Sequence, residues 1–264
     1  MKISTFVFII VFLFLFSSAI IIYAHNNNVD VLEETYPMSK SKSKDLWLNS
    51  GAYFYNKDGI GSTVHSEIPE DSRWRIAYFI SNPNDTDNGF HPQNIFRLVT
   101  RNKFDDFEQS AYFKIDEYHL SSSNHRTASN GLLFFIHYKD GDNLYYAGIR
   151  VDGYAVIKKK QDGIYYTISS KQIFDGDYDR LANPNLIPEK QWVGVKAETQ
   201  TNADGSVLIK LFVDDDHSGK WDMVLAVRDD GTRYGHSPIS GSGYAGIRTD
   251  FMDVEFDDFK ITKI

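Results

Sequence analysis

A tyrosine, a glycine and an arginine at alternate positions occur twice in this chain, as Tyr146-Gly148-Arg150 and Tyr244-Gly246-Arg248. They belong to two seven-residue stretches, 146–152 and 244–250, that are identical at six of seven positions across a spacing of 98 residues. Alternate residues of a strand share a face. The tyrosine then offers a flat ring with a hydroxyl, the arginine a planar fork of donors, and the glycine a gap between them. Such a set can both stack on a sugar ring and hydrogen-bond to it. The opposite face carries Ala147, Ile149 and Val151 in one copy and Ala245, Ile247 and Thr249 in the other, which suits a core. The competing account keeps each tyrosine for packing across its glycine and pairs each arginine with the nearby aspartate, Asp152 or Asp250. His137, in the apolar run before the first copy, is a further candidate, although a histidine there is more commonly a hydrogen-bonded structural residue. The candidate ligand-binding set is therefore Tyr146, Arg150, Tyr244, Arg248 and His137.

A second pattern, Asp214-x-Asp216-x-Ser218-Gly219, puts oxygen ligands at alternate positions and glycine at a sharp turn, as at the opening of a calcium loop. The twelfth position would be Leu225 where a bidentate glutamate is needed, so this is no EF-hand. Asp214, Asp216 and Ser218 stand as candidate calcium ligands, with an acidic turn as the alternative. Calcium is the one cofactor the sequence suggests. No phosphate loop, zinc spacing, serine nucleophile elbow or dinucleotide fingerprint occurs, and no catalytic residue is assigned.

These residues need strands to hold them. Between 131 and 166, Asp140-Gly141, Asp152-Gly153 and Asp162-Gly163 break three apolar runs, the pattern of an antiparallel meander. The stretches 192–199 and 207–213 alternate cleanly about Asp204-Gly205. The stretches 46–56, 63–68, 73–80, 95–100, 107–115, 221–227, 244–249 and 254–261 read as further strands, and no capped amphipathic helix is expected after residue 25. Loops 81–92 and 119–130 are polar, and the second is long enough to border a site. The expected fold is all-β, a two-sheet antiparallel sandwich or jelly roll, preceded by an N-terminal hydrophobic helix.

Residues 6–23 are apolar, follow Lys2 and lead to a polar exit at Ala24, so residues 1–24 read as a signal peptide or a membrane anchor. Residues 25–45, rich in Ser and Lys, read as a flexible linker, and 46–264 as one sandwich domain. The expected location is secreted or extracytoplasmic, with membrane contact only through an uncleaved N-terminal segment. A formal charge of −8 argues against nucleic-acid or anionic-membrane partners. The absence of cysteine excludes disulfides and thiolate chemistry. At 15% aromatic content, with 16 Tyr and 19 Phe, the chain suits strands and a sugar-stacking surface.

The Asp204-Gly205 hairpin, the segment from Val213 to Trp221, the strand 243–248 and the closing Val254-Glu255-Phe256-Asp257-Asp258-Phe259 resemble the C-terminal half of concanavalin A-like lectin/glucanase domains, including laminin-G-like jelly rolls. The resemblance implies two curved sheets, a concave face that often holds glycan, and pairing of 46–55 with 254–261. It also implies a family of lectins, glycosidases, lyases and adhesion modules. The glucanase motif Glu-x-Asp-x-x-Glu is missing, and Glu255-Phe256-Asp257-Asp258 lacks its second glutamate. The leading expectation is a non-catalytic lectin-like domain with carbohydrate as partner. The alternatives are a polysaccharide hydrolase or lyase, the lyase drawing on His119, His137, Tyr138, Tyr146 and Arg150, and a protein-binding adhesion module.

Overall fold

The computed structural model describes residues 29–264. The hydrophobic N-terminal helix, with its cleavage or retention, lies outside the described residues. Among the described residues no helix is long and apolar enough to cross a membrane.

The first strands are β1 (Val29–Glu33), β2 (Leu46–Ser50), β3 (Tyr53–Lys57) and β4 (Ile60–Ser62), followed by helix α1 (Arg73–Ser81). The centre of the chain supplies β5 (Phe96–Phe104), β6 (Phe107–Tyr118), β7 (Gly131–Asp140), β8 (Asn143–Arg150), β9 (Tyr154–Gln161) and β10 (Ile164–Gln172). The remainder supplies β11 (Trp192–Thr201), β12 (Val207–Asp214), β13 (Asp222–Asp229), β14 (Gly243–Thr249) and β15 (Met252–Lys263). One antiparallel sheet has the order β1-β3-β4-β15-β6-β11-β12-β13, and the other β10-β9-β8-β7-β14-β5-β2.

The sandwich core forms where alternation turns one face of each sheet toward the other. Phe134, Ala147, Ile149, Ala245 and Ile247 from the second sheet meet Phe113, Val195, Ile209, Leu211 and Phe256 from the first. The alternating faces of β11 and β12 are paired in register, Ala197 opposite Leu211 and Thr199 opposite Ile209. The meander β7–β10 is as its Asp-Gly signals require. At Asp162-Gly163 both residues have positive φ, 50° and 81°, and the flanking Gln161 and Ile164 pair directly, as in a type I′ hairpin.

Four expectations fail. Residues 63–68, expected as a strand, form none: β4 ends at Ser62, and Ser66 takes a positive φ of 60° that a strand does not adopt. Residues 73–80, expected as a strand, form α1, because Ser72 caps its start by accepting the Trp74 amide at 3.3 Å and the Trp74 ring packs at a tilt against Tyr78 one turn later. Its composition is strand-like, but the cap and the i,i+4 ring contact decide otherwise. The helix leaves Ile76, Phe79 and Ile80 exposed.

Within 25–45, where a flexible linker was expected, β1 pairs with β3 over Val29–Glu33. Glu34 accepts from the Tyr78 hydroxyl and the Ala52 amide, and Trp47 Nε1 donates to the Thr35 carbonyl at 2.7 Å. Local polarity does not reveal a strand whose partner lies elsewhere in the chain.

The stretch 46–55 does not pair with 254–261. Gly51 and Ala52 have positive φ, 113° and 66°, and split the segment. A Cβ on Gly51 would lie 2.7 Å from Phe96 Cδ2. The turn sends β2 to β5 in one sheet and β3 to the other, where the short β4 meets β15 through Phe256 opposite Gly61.

Candidate functional site

The second sheet has a second, smaller apolar cluster on its outer face, made of Trp47, Val99, Leu133, Phe135, Leu144, Tyr146 and Val156. Cross-strand register orders that face into rows. One row runs Lys158, Tyr146, Phe135, Gly246, Val99 and Trp47. The next runs Val156, Gly148, Leu133, Arg248 and Arg97. The two copies of the repeated stretch therefore lie on one sheet, with β7 between them. Each contributes its glycine to the row that holds the other's large side chain. Both glycines are enforced by close backbone approach: a Cβ on Gly148 would lie 2.1 Å from the Leu132 carbonyl oxygen, and one on Gly246 2.2 Å from that of Leu98.

This register brings the Arg248 guanidinium 5.2 Å from the centre of the Tyr146 ring. Arg248 Nε donates to Asp250 Oδ2 at 2.8 Å, and Arg97 Nη2 donates to Asp250 Oδ1 at 2.9 Å, so one buried carboxylate orients two guanidinium groups. Burial pushes the Asp250 carboxyl up, and Arg248 and Arg97 more than offset this, holding it below the usual carboxylate range. Tyr165 on β10 stacks on Tyr146 with ring centres 6.1 Å apart and 27° between planes. Burial, opposed by Arg248, pushes the Tyr146 phenol up to about 12. Burial acts on Tyr165 too, but Arg248, hydrogen bonds with Tyr146 and Arg248, and Lys160 leave its phenol more acidic than usual. Lys158, beside Tyr146, is lowered to about 8 by burial first and then by Arg150 and Arg248.

These side chains line a cavity of about 510 Å³, within the range of small-molecule sites. Its far wall is the polar loop 119–130, which contributes Asn124, His125, Thr127, Ser129 and Asn130. That loop is tied down from both sides. Ser123 Oγ donates to Asp85 at 2.5 Å and Ser121 Oγ to Asp87 at 2.6 Å. Arg126 donates to the Arg180 carbonyl at 2.8 Å, while Arg180 returns a bond to the Arg126 carbonyl at 3.0 Å.

Of the candidate residues, the structure brings Tyr146 and Arg248 together in the cavity. Arg150 shares their face but is ion-paired with Asp152, and Tyr244 lies farther along, against Tyr138 and Lys103. His137 is a correction. It is fully buried, with Nδ1 2.7 Å from the Ile239 carbonyl oxygen and Nε2 2.6 Å from that of Asp105. Both ring nitrogens are taken by backbone, and the residue serves as a strut.

The candidate calcium residues Asp214, Asp216 and Ser218 form a hydrogen-bonded turn. The Asp214 carboxylate accepts from the Ser218 amide at 2.9 Å, the Gly219 amide at 2.8 Å and the Tyr112 hydroxyl at 2.7 Å, and it is 1% exposed. Asp216 accepts from the same Ser218 amide at 3.2 Å. Oxygens aimed at protein donors in this way are the arrangement of an acidic turn. Among the described residues no group of three or more His, Asp or Glu side chains could hold a metal.

The sequence reading missed Arg97, Lys158 and Tyr165 as site residues. Lys158 sits in a Lys-Lys-Lys run inside a strand, a usable signal, because alternation sends its neighbour Lys159 to the core, where it pairs with Asp229 at 2.9 Å. Arg97 and Tyr165 carry no such signal, since only cross-strand register places them.

No protein-family model matches the chain, and no curated protein sequence does. Its fold is similar to that of the carbohydrate-binding module CBM66 from Bacillus subtilis, with a TM-score of 0.50 and 10% identity over 83% of this chain and 95% of that one. Looser likenesses are the Ca2+-bound exoplasmic/lumenal domain of VIP36, with TM-score 0.44, 7% identity and 83% of each chain covered, and the GH43 protein BlXynB from Bacillus licheniformis, with TM-score 0.38, 13% identity, and coverage of 64% of this chain and 29% of that one. The architecture is a two-sheet antiparallel β-sandwich, and at these identities the likeness concerns the fold alone.

Proposed function

We propose that this chain is an exported carbohydrate-binding protein of the concanavalin A-like lectin/glucanase superfamily, with its glycan seated on the outer face of the second sheet. The observation that carries this reading is the stacked Tyr146–Tyr165 pair beside the Arg97–Asp250–Arg248 cluster, in a cavity closed by a polar loop. A pyranose or furanose presents an apolar face and a rim of hydroxyls, and this wall offers aromatic surface next to fixed donors. The carbohydrate-binding module of similar fold supports the same reading, as does the apolar run at 6–23 for export. Screening the purified chain on a glycan array tests it. Selective binding that is lost in Tyr165→Ala is expected, and a folded sample that binds no glycan removes the proposal.

A glycosidase reading has less support. Asp250 is 2% exposed with both oxygens in ion pairs, so it is not free to act as acid or nucleophile. A lyase is the second reading, favoured by the acidic Tyr165 phenol beside Arg248. In that chemistry a phenolate removes the proton next to a uronate carboxylate, the neighbouring C–O bond breaks, and the departing oxygen takes up a proton. Ultraviolet absorbance of an unsaturated product, growing with time on a polyuronate, would establish it.

A further inference from the structure

The cavity also indicates which carbohydrate it takes. Lys158 is 9% exposed, lines the cavity, and makes no hydrogen bond or ion pair with any described residue. Buried lysines ordinarily have an anionic partner. Lys159, its neighbour in sequence, shows the usual arrangement, with three carbonyl acceptors and the Asp229 carboxylate around its ammonium. Arg248 gives only its Nε to Asp250, and the rest of its guanidinium faces the Tyr146 ring and Tyr165. The nearby carboxylates are already engaged, Asp250 by two arginines and Asp152 by Arg150. Among the cavity's lining residues three cations, Arg97, Arg248 and Lys158, thus stand against two carboxylates, Asp250 and the far-wall Asp85, which is held by Ser123 and His125. This local positive excess is sited on a chain whose formal charge is −8.

We infer that the glycan carries an acidic group, a sugar carboxylate or sulfate ester, which seats between Lys158 and Arg248 while the sugar ring lies on Tyr165. This rests on the carbohydrate-binding reading and narrows it to acidic glycans. A neutral sugar would leave the Lys158 ammonium buried without a counter-charge, whereas an anion supplies two charge-assisted hydrogen bonds to groups already oriented.

The test compares binding of the full chain to polygalacturonate, dextran sulfate and unsubstituted dextran by calorimetry at neutral pH, at low and high salt. Polygalacturonate or dextran sulfate should bind at least about tenfold more tightly than dextran, with affinity falling as salt rises. The first outcome names a carboxylate as the recognised group, the second a sulfate. Lys158→Met keeps the stem and removes the charge, and should lose about tenfold in affinity for the acidic polymer with an unchanged melting temperature. Lys158→Arg, which keeps the charge, should retain binding and guards against a folding artefact. Tight binding to a neutral glycan with none to either acidic polymer overturns this inference and leaves the carbohydrate-binding reading standing. Failure to bind any glycan, acidic or neutral, overturns both.

Discussion

The guanidinium of Arg248 lies over the ring of Tyr146, 5.2 Å from its centre, although the two residues are 102 positions apart and belong to different copies of one repeated stretch. The relationship depends on register. Gly246 occupies Tyr146's row and Gly148 occupies Arg248's row, so neither large side chain meets a large one from the other copy in its own row. The result is a platform with an aromatic floor and a charged rim. The proposed ligand chemistry follows from that juxtaposition.

Tyr165 is 51% exposed and packs mainly on Tyr146, so Tyr165→Ala should separate binding from folding. Unfolding free energy should change by no more than about 0.5 kcal/mol, as at surface positions. Glycan affinity should fall about tenfold, the scale of a lost stacking surface. Isothermal titration and denaturant unfolding of the same variant check both halves.

Asp250→Asn should be strongly destabilising. It leaves Arg97 and Arg248 adjacent on paired strands without their shared counter-charge, at a cost of about 3 kcal/mol. Urea unfolding measures the loss. Arg97→Met together with Asp250→Asn should recover part of it, since one of the two stranded cations is then gone.

The acid limb of stability has a defined sign. Asp250 and Asp253 both have depressed carboxyl pKa values, Asp250 through Arg248 and Arg97, and Asp253 through His119 and its hydrogen bonds, each against the upward push of burial. Such a group contributes stability that is complete above the unfolded value of about 4 and is lost as pH falls through the lower folded value. The melting temperature should therefore hold steady from neutral pH down to about pH 4 and drop below it. A flat profile to lower pH would show that these pairs carry little of the folding energy.

Binding should respond to base. Lys158 titrates at about 8, lowered by burial and then by Arg150 and Arg248, with Asp152 and Asp250 opposing. Its charge disappears as pH rises through that value, and ionisation of the acidic Tyr165 phenol acts in the same direction. Affinity for an acidic glycan should be constant near pH 7 and weaken above about pH 8, by up to tenfold per unit. Lys158→Met should abolish most of that dependence in a calorimetric pH series.

Removing divalent cations should not matter to the 214–219 turn. Asp214 already has four protein donor groups on its carboxylate. Melting curves with and without a chelator should superimpose, whereas a clear fall in midpoint on chelation would restore calcium to the account.

Much of the scaffold could be read locally. Asp162-Gly163 marks a hairpin because a tight turn demands positive φ, and the 207–213 alternation marks a core face because strand side chains alternate. What could not be read was where partners come from. The 73–81 segment has strand-like composition, but its cap and the Trp74–Tyr78 contact make it a helix. The 29–33 strand is only five residues long, and its pairing partner β3 lies elsewhere in the chain. His137 looked like a candidate ligand because nothing local reveals the two carbonyls that flank it, one from the 239 region and one from the turn at 105.

By itself, the sequence determined that the chain is a β-sandwich with Tyr, Gly and Arg of both repeated stretches turned away from the core, since strand alternation is a property of the backbone. Only the tertiary structure decided that the two stretches lie on one sheet with β7 between them, and that Arg97, Lys158, Tyr165 and the shared Asp250 join Tyr146 and Arg248 around one cavity. The physical reason is register. Which residue faces which across neighbouring strands is set by hydrogen-bond pairing between segments far apart in the chain, and a local pattern carries no record of it.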